Sequence, residues 1–545
     1  MSVVVLSATV LVPEAAQSKS LTQSELARTF ADDRSIHPHI RRAYLTRNNQ
    51  PIWTGEDPRP ILALLVALRS LPGQGLPSMA TEAATIEGFF ASDPEFWRTP
   101  TVELYLTDIY LQLARNIRTG VVEPRAVDEN ILVDRLQRTD FEMLAPLMSA
   151  QRVESHLRSL APVATEYLRL QDKLARMQTL VARGGWGKSV IEEGALLRPG
   201  ARDMRVPTIR QRLTLMGDHP PLSQPITDPS QPVLVTYASE LVYDTQLYAA
   251  VRSFQRRHGL NDDGIIGDAT LAAMNVPAEE RLKQVMVNLE RLRWETQARA
   301  PRHIYVNLPD YRLRVYEGGE PVFETRVVIG GAGDDVTPEF SDMMTFLVAN
   351  PTWTVPRSIA VEELLPQLQT NPDFLADNDM TLIRGGSEPI PEDVRSIDWF
   401  RFHEDFFPFW LRQGPGPFNA LGRVKFMFPN EHAIYLHDTP QRGLFRNDIR
   451  DASHGCIRVE DPIGLAELLL TPNYSEETVQ QEFAQVLATG DETELPLKRM
   501  IPIHLDYRTS WVEADGTLHF RQDVYGRDAA VFAAMEAKGV ELLGS

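Results

Sequence analysis

Near residue 300 the spacing of apolar residues changes, and that change marks the start of a new domain. Before it, apolar residues recur at the three-to-four spacing of a helix face. After it they alternate, as half-buried strands require. The chain is therefore expected to be multidomain α+β, with helices first and strands last.

On the helical side, Ile61 to Leu71 is an apolar run opened by Pro58 and Pro60 and closed by Pro72-Gly73. Thr101 to Arg118 places Leu104, Ile109, Leu111 and Ala114 at mixed helical spacing, with Gly120 as a cap past its end. Pro162 to Arg183 is a third amphipathic segment, stopped by Gly184-Gly185. Residues 20–200 are thus expected to form a helical scaffold domain, and no His, Cys or carboxylate cluster marks it for chemistry. Residues 203–277 read as a compact three-helix unit. Val206 to Leu215, Tyr243 to His258 and Thr270 to Asn275 are its helices. Gly259 is its left-handed stop, and Asp263-Gly264 and Gly267 are its turns. So small a core suits binding better than catalysis. Residues 278–294 read as a connecting helix ending at Trp294.

Residues 300–530 are the strand side. His303 to Leu308, Tyr311 to Tyr316 and Val322 to Ile329 alternate, and Gly318-Gly319 turns the hairpin between the last two. Thr345 to Ala349 and Val424 to Phe428 continue the pattern. Ile501 to Tyr507, Ser510 to Val512 and Thr517 to Gln522 close it around Asp515-Gly516, after a helix at Pro462 to Leu470. Residues 357–415 interrupt these strands as a capping insertion. It holds a helical piece at Val361 to Leu368, a Gly385-Gly386 turn, and the aromatic run Trp399-Phe400-Arg401-Phe402 with Phe406-Phe407-Pro408-Phe409-Trp410. Long insertions beside a site often act as lids. The alternative is a structural subdomain with those aromatics as its core.

Charge excludes one class of partner. The formal net charge is −19, and binding phosphate backbones needs basic patches, so nucleic acid is not expected. No run approaches the roughly twenty apolar residues of a membrane-spanning helix. Val3 to Val12 has the length of an export signal's apolar region but lacks a basic start, so residues 1–19 are expected to be a partial signal segment rather than a frayed tail.

The chain has one cysteine, Cys456, so no disulfide framework holds it. Count alone makes Cys456 a buried structural thiol. Its neighbours argue otherwise. It lies in Ser453-His454-Gly455-Cys456-Ile457-Arg458, downstream of Ile434-Tyr435-Leu436-His437-Asp438-Thr439, a short apolar strand ending in polar residues. A thiol becomes a nucleophile beside an imidazole, and both His437 and His454 are candidates. His454 is nearer in sequence, while His437 at a strand end can be held rigidly. Gly455 leaves space at the thiol and lets the Gly455 and Cys456 amides face a developing oxyanion. Arg458 can anchor a carboxylate or brace the loop by a bidentate contact. Zinc is the rival, using His432, His437, His454 and Cys456. Their spacing fits no standard zinc pattern, and no metal is expected.

Phe254-Gln255-Arg256-Arg257-His258-Gly259-Leu260, followed by Asp263-Gly264-Ile265-Ile266-Gly267-Asp268-Ala269-Thr270-Leu271, resembles the peptidoglycan-binding domain found beside many cell-wall enzymes. Ser453 to Arg458 with His437-Asp438-Thr439 resembles the signature of the L,D-transpeptidase catalytic domain. The segments Asn419 to Asn430, Arg47 to Thr54 and Gly184-Gly185-Trp186 are similar to large periplasmic members of that family. Many members have glycine where this chain has Asp438, although the large members often share the Asp. The resemblance implies that Cys456 is the nucleophile, His437 the general base, and Gly455 and Cys456 the oxyanion amides, helped by Tyr435. It further implies that Ser453, His454 and Arg458 shape the loop and orient substrate. The implied partners are peptidoglycan stem peptides and glycan strands, with carbapenems as inhibitors of the thiol, a periplasmic location and no cofactor. The implied reaction is a 3→3 cross-link made through a thioester, with release of terminal D-Ala. An L,D-carboxypeptidase using water, or an inactive wall-binding protein, are the alternatives.

Overall fold

The computed structural model describes residues 21–543 apart from 93–95, 136, 221–239, 296–298, 372 and 385–393. The expected export segment and the Gly385-Gly386 turn lie outside the described residues.

The N-terminal part is helical. Thr22 and Thr139 open their helices, Gln23–Asp32 and Asp140–Ser149, with capping boxes to Glu25 and Glu142. Thr99 caps Pro100–Thr119, and Gly120 ends it at φ 74°. Leu64, Leu68, Leu106, Leu113 and Leu144 meet in one core. The Glu103 carboxylate is buried within it. It accepts from the backbone N–H groups of Ile52, Trp53 and Thr54 and from the Tyr44 hydroxyl, which ties the 47–54 segment to the bundle. The next unit consists of Val206–Met216, Thr245–Arg257 and Asp268–Asn275 around Ile209, Leu213, Val251 and Phe254. Gly259 is left-handed, at φ 72°, as its position after the second helix requires.

Ala278–Trp294 is more than a connecting helix. It is buried on nearly all sides, because each face carries a group that another part of the chain satisfies. Glu290 accepts from the Val121 and Val122 amides of the helical domain. Arg293 donates to the Gln74 carbonyl and the Tyr167 hydroxyl. Arg291 pairs with Asp528 in the C-terminal helix Arg527–Glu536, and Asn288 bonds Thr509. Glu290, Arg291 and Arg293 are each buried against a partner, while Glu280 stays exposed.

The strands are β1 (Arg302–Asn307), β2 (Arg312–Glu317), β3 (Glu320–Gly330) and β4 (Phe340–Ala349). Next come β5 (Trp353–Thr354), β6 (Met380–Arg384) and β7 (Phe409–Gln413) of the insertion. Then follow β8 (Val424–Met427), β9 (Leu436–His437), β10 (Asp451–Ser453), β11 (Ile457–Val459), β12 (Thr493–Asp506), β13 (Ser510–Val512) and β14 (Leu518–Phe520). Among the described residues one sheet runs β10-β3-β11-β9-β8-β4-β12-β1-β2, and a β2–β3 pairing closes it on itself. Gly318 and Gly319, both at positive φ, turn the β2–β3 hairpin. The insertion builds its own small sheet, β5-β7-β6. Trp399, Phe407 and Phe409 are buried in its core, while Phe400, Phe406 and Trp410 remain exposed.

Candidate active site

Two short parallel strands create the site. β9 and β11 pair with Leu436 opposite Ile457 and His437 opposite Arg458, and the Ile457 amide donates to the Tyr435 carbonyl. The period of two does the rest. Leu436 and Ile457 point into the barrel core, where both are fully buried. Tyr435, His437, Cys456 and Arg458 therefore share the other face. Cys456 sits across from Tyr435 and diagonal to His437.

The cysteine turn is held open by close backbone packing. Gly455 has φ 95°, a conformation that disfavours any side chain. Gly330 at the end of β3 lies so close that a Cβ there would sit 2.8 Å from the Gly455 Cα and 1.9 Å from the Asp335 carbonyl oxygen. The Thr337 hydroxyl bridges the two glycines, donating to the Gly455 carbonyl at 2.7 Å and accepting from the Gly330 amide at 2.9 Å. The Ser453 hydroxyl donates to the Cys456 carbonyl. With both carbonyls occupied, the Gly455 and Cys456 amides donate no hydrogen bond among the described residues, so they are available to an oxyanion.

His437 is 5% exposed. Its Nδ1 lies 2.5 Å from the Asp438 carbonyl oxygen, a contact only an N–H can make, which leaves Nε2 as the lone-pair nitrogen. Burial lowers its pKa to about 3, the nearby Arg458 and Lys425 charges lower it too, and the Asp438 carbonyl opposes them. The imidazole is therefore neutral at pH 7. The Asp438 side chain faces away from the thiol. It accepts from the Arg423 and Thr439 amides and packs where Gly422 has no Cβ.

Cys456 is half-buried, with Sγ 3.7 Å from the Ala433 carbonyl oxygen. Burial pushes its thiol up. The Tyr435 amide and hydroxyl and then the Lys425 and Arg458 charges pull it back only in part. The resting pair is thus a neutral thiol and a neutral imidazole, with no hydrogen bond joining them among the described residues. Burial also raises Tyr435, and the neighbouring thiolate would raise it further.

The structure separates the two histidines. His454 pairs with Glu363 in the insertion, in a π-helical turn at Ala360–Leu364. Arg458 donates through one nitrogen, Nη1, to Gln441 Oε1 at 2.6 Å, and its Nε is buried without a partner. Of the two roles expected of Arg458, anchoring a carboxylate or bracing the loop, the contact seen is a single bond to the loop. His432 packs on Phe340, with ring centroids 5.5 Å apart. Among the described residues no three of His, Cys, Asp and Glu converge as metal ligands.

Sequence reasoning overlooked Lys425. β8 pairs with β9 so that Lys425 stands opposite His437. Its ammonium lies 3.9 Å from the Tyr435 ring centroid. The available signal was its place between inward-facing Val424 and Phe426, which sends it to the face of the site. Glu363 and Thr337 were overlooked as well, and nothing local in the sequence marks them. A groove of about 860 Å³ lies elsewhere, between the three-helix unit and the C-terminal helix, lined by Leu260, Ala272, Val276, Phe520 and Phe532.

Comparison with known proteins places this geometry in context. Residues 301–489 match the family model described as L,D-transpeptidase catalytic domain. Residues 38–174 match a scaffold domain, and residues 206–274 match a "Putative peptidoglycan binding domain". A Haemophilus influenzae protein named "Putative L,D-transpeptidase" is 36% identical over 228 residues, 42% of this chain and 45% of that protein. The chain thus spans less than half the length of that relative. "N-acetylmuramoyl-L-alanine amidase CwlM" of Mycobacterium tuberculosis is 41% identical over 86 residues, 15% of this chain and 19% of that protein. A crystal structure of an L,D-transpeptidase from Stackebrandtia nassauensis aligns with 57% of this chain and 96% of its own, at 14% identity and a TM-score of 0.21.

Proposed function

Because this chain carries an L,D-transpeptidase catalytic domain after a scaffold domain and a peptidoglycan-binding domain, we propose that it cross-links peptidoglycan stems by cysteine acyl transfer. The single observation that carries the reading is the shared face of β9 and β11, which gathers Tyr435, His437, Cys456 and Arg458. The substrate is a tetrapeptide donor stem. Cys456 Sγ attacks the carbonyl of the third residue as its proton passes to His437 Nε2. Transfer accompanies attack, since both groups rest neutral and a preformed thiolate is disfavoured. Negative charge on the carbonyl oxygen is met by the Gly455 and Cys456 amides and by the Tyr435 hydroxyl. The C–N bond then breaks. The departing D-Ala amine takes the proton from His437, leaving a thioester. The side-chain amine of a diamino acid on a neighbouring stem attacks that thioester, loses a proton to His437, and expels the thiolate, which gives a 3→3 link. Ser453 holds the turn, His454 ties it to the insertion, and Arg458 faces the substrate. Carbapenems acylate the same thiol. A chain acting on cell wall works outside the inner membrane, in the periplasm where one exists.

The test is incubation of the full chain with disaccharide-tetrapeptide, followed by mass spectrometry of the products. The reading expects a dimer that has lost one D-Ala. A tripeptide without dimer would make the enzyme an L,D-carboxypeptidase. Replacing His437→Gln is expected to slow dimer formation by about 10²–10⁴-fold, the usual worth of a general base. Dimer formation that persists in Cys456→Ala would refute the nucleophile.

A further inference from the structure

Three neighbouring strands place a row of side chains beside the thiol. Lys425 on β8 faces His437 on β9, and His437 faces Arg458 on β11. All three share the face that carries Tyr435 and Cys456. Lys425 does not lie flat toward solvent. Its ammonium folds over the ring of Tyr435, the residue directly across from Cys456. There it makes no hydrogen bond or ion pair among the described residues. No nearby acid among the described residues forms an ion pair with it, although the Glu492 charge acts on it from a distance. Glu363 pairs with His454, Asp438 is held by the Arg423 and Thr439 amides, and Glu492 binds Thr352. A chain of net charge −19 therefore presents an unpaired, half-buried cation at its thiol. Holding a cation partly out of water without an anion is costly unless a ligand supplies one.

We propose that Lys425 is a specificity-determining residue that binds a donor-stem carboxylate adjacent to the carbonyl attacked by Cys456. This rests on the acyl-transfer reading above. In a tetrapeptide donor the attacked carbonyl is followed by a single residue, so the terminal carboxylate lies on the leaving group, beside the nucleophile. A stem one residue longer has an uncharged amide at that place. An ammonium over Tyr435 thus distinguishes a stem that ends one residue beyond the attacked carbonyl from one that continues. A side-chain carboxylate on the third residue is the other source of the same chemistry.

The test uses the full chain with two small probes of Cys456, iodoacetate and iodoacetamide, and reads the ratio of their alkylation rates by intact mass. The ratio cancels any change in thiolate fraction. Lys425→Met is expected to lower the iodoacetate-to-iodoacetamide ratio about tenfold, the order expected for one partly screened charge nearby, and Lys425→Arg to preserve it. An unchanged ratio in Lys425→Met overturns the proposal, even if stems are still cross-linked. The second arm compares tetrapeptide donors bearing a terminal carboxylate, a terminal carboxamide, or an amidated third side chain. The carboxamide is expected to raise KM in the unaltered chain but not in Lys425→Met. The same pattern for the amidated side chain would assign the carboxylate to the third residue. A ratio that falls while no donor acylates Cys456 would retain the anion site and reject the acyl-transfer reading.

Discussion

Cys456 rests as a thiol because its surroundings remove water faster than they supply positive charge. Burial raises it, and Tyr435, Lys425 and Arg458 compensate only in part. A raised pKa leaves less thiolate at neutral pH, so reactivity toward iodoacetamide should keep climbing at pH values where an unfolded thiol has levelled off. Alkylation rates measured against pH, folded and in urea, check this. A folded plateau at lower pH than the unfolded one would mean a preformed thiolate. The cysteine motif and the strand-borne histidine could be read from the sequence because each is local. Lys425 could not, since its importance comes from standing opposite His437 across a strand boundary. The direction of His454 was equally hidden, because its partner Glu363 belongs to the insertion.

Among the elements, the tightest constraint is the approach of β3 to the cysteine turn. Gly330→Ala would place a methyl group against backbone on two sides, the Asp335 carbonyl oxygen and the Gly455 Cα. Backbone cannot rotate away as a side chain can. The substitution is expected to cost about 1–3 kcal/mol, in the range of overpacked cores, and to slow Cys456 alkylation by disturbing the turn. Thermal unfolding and the alkylation rate together check it, and a midpoint unchanged from the parent chain would show that the turn yields freely. Hairpins with paired glycines were legible because their turn chemistry is local. The parallel β9–β11 pair was not, because each strand is only two or three residues long and their pairing depends on the whole barrel.

Across the whole molecule, histidines buried in a neutral state link stability to acid. Burial lowers His437 to about 3 and His519 to about 4. His156, His258, His303 and His504 are lowered for the same leading reason. In the unfolded chain these groups bind protons below the ordinary histidine value of 6.5. The folded chain takes them up only at lower pH. The stabilisation is therefore complete above pH 6.5 and is lost as pH falls toward the folded values, at up to about 1.4 kcal/mol per pH unit for each fully buried histidine. Unfolding midpoints should drop between pH 6.5 and 4, and His437→Asn should flatten part of that slope. The helix Ala278–Trp294 is buried against the helical domain, the β13–β14 hairpin and the C-terminal helix at once. Its charged sequence gave little hint of that burial. The partners that satisfy Glu290, Arg291 and Arg293 lie far along the chain.

The central claim is that Cys456 carries the donor stem as a thioester. Intact-protein mass spectrometry after brief mixing with disaccharide-tetrapeptide tests it most directly. The account expects an adduct equal to the donor less D-Ala, released by hydroxylamine and absent from Cys456→Ala. An adduct of the same mass on Cys456→Ala would contradict it, as would 3→3 dimers formed while Cys456 remains fully alkylated.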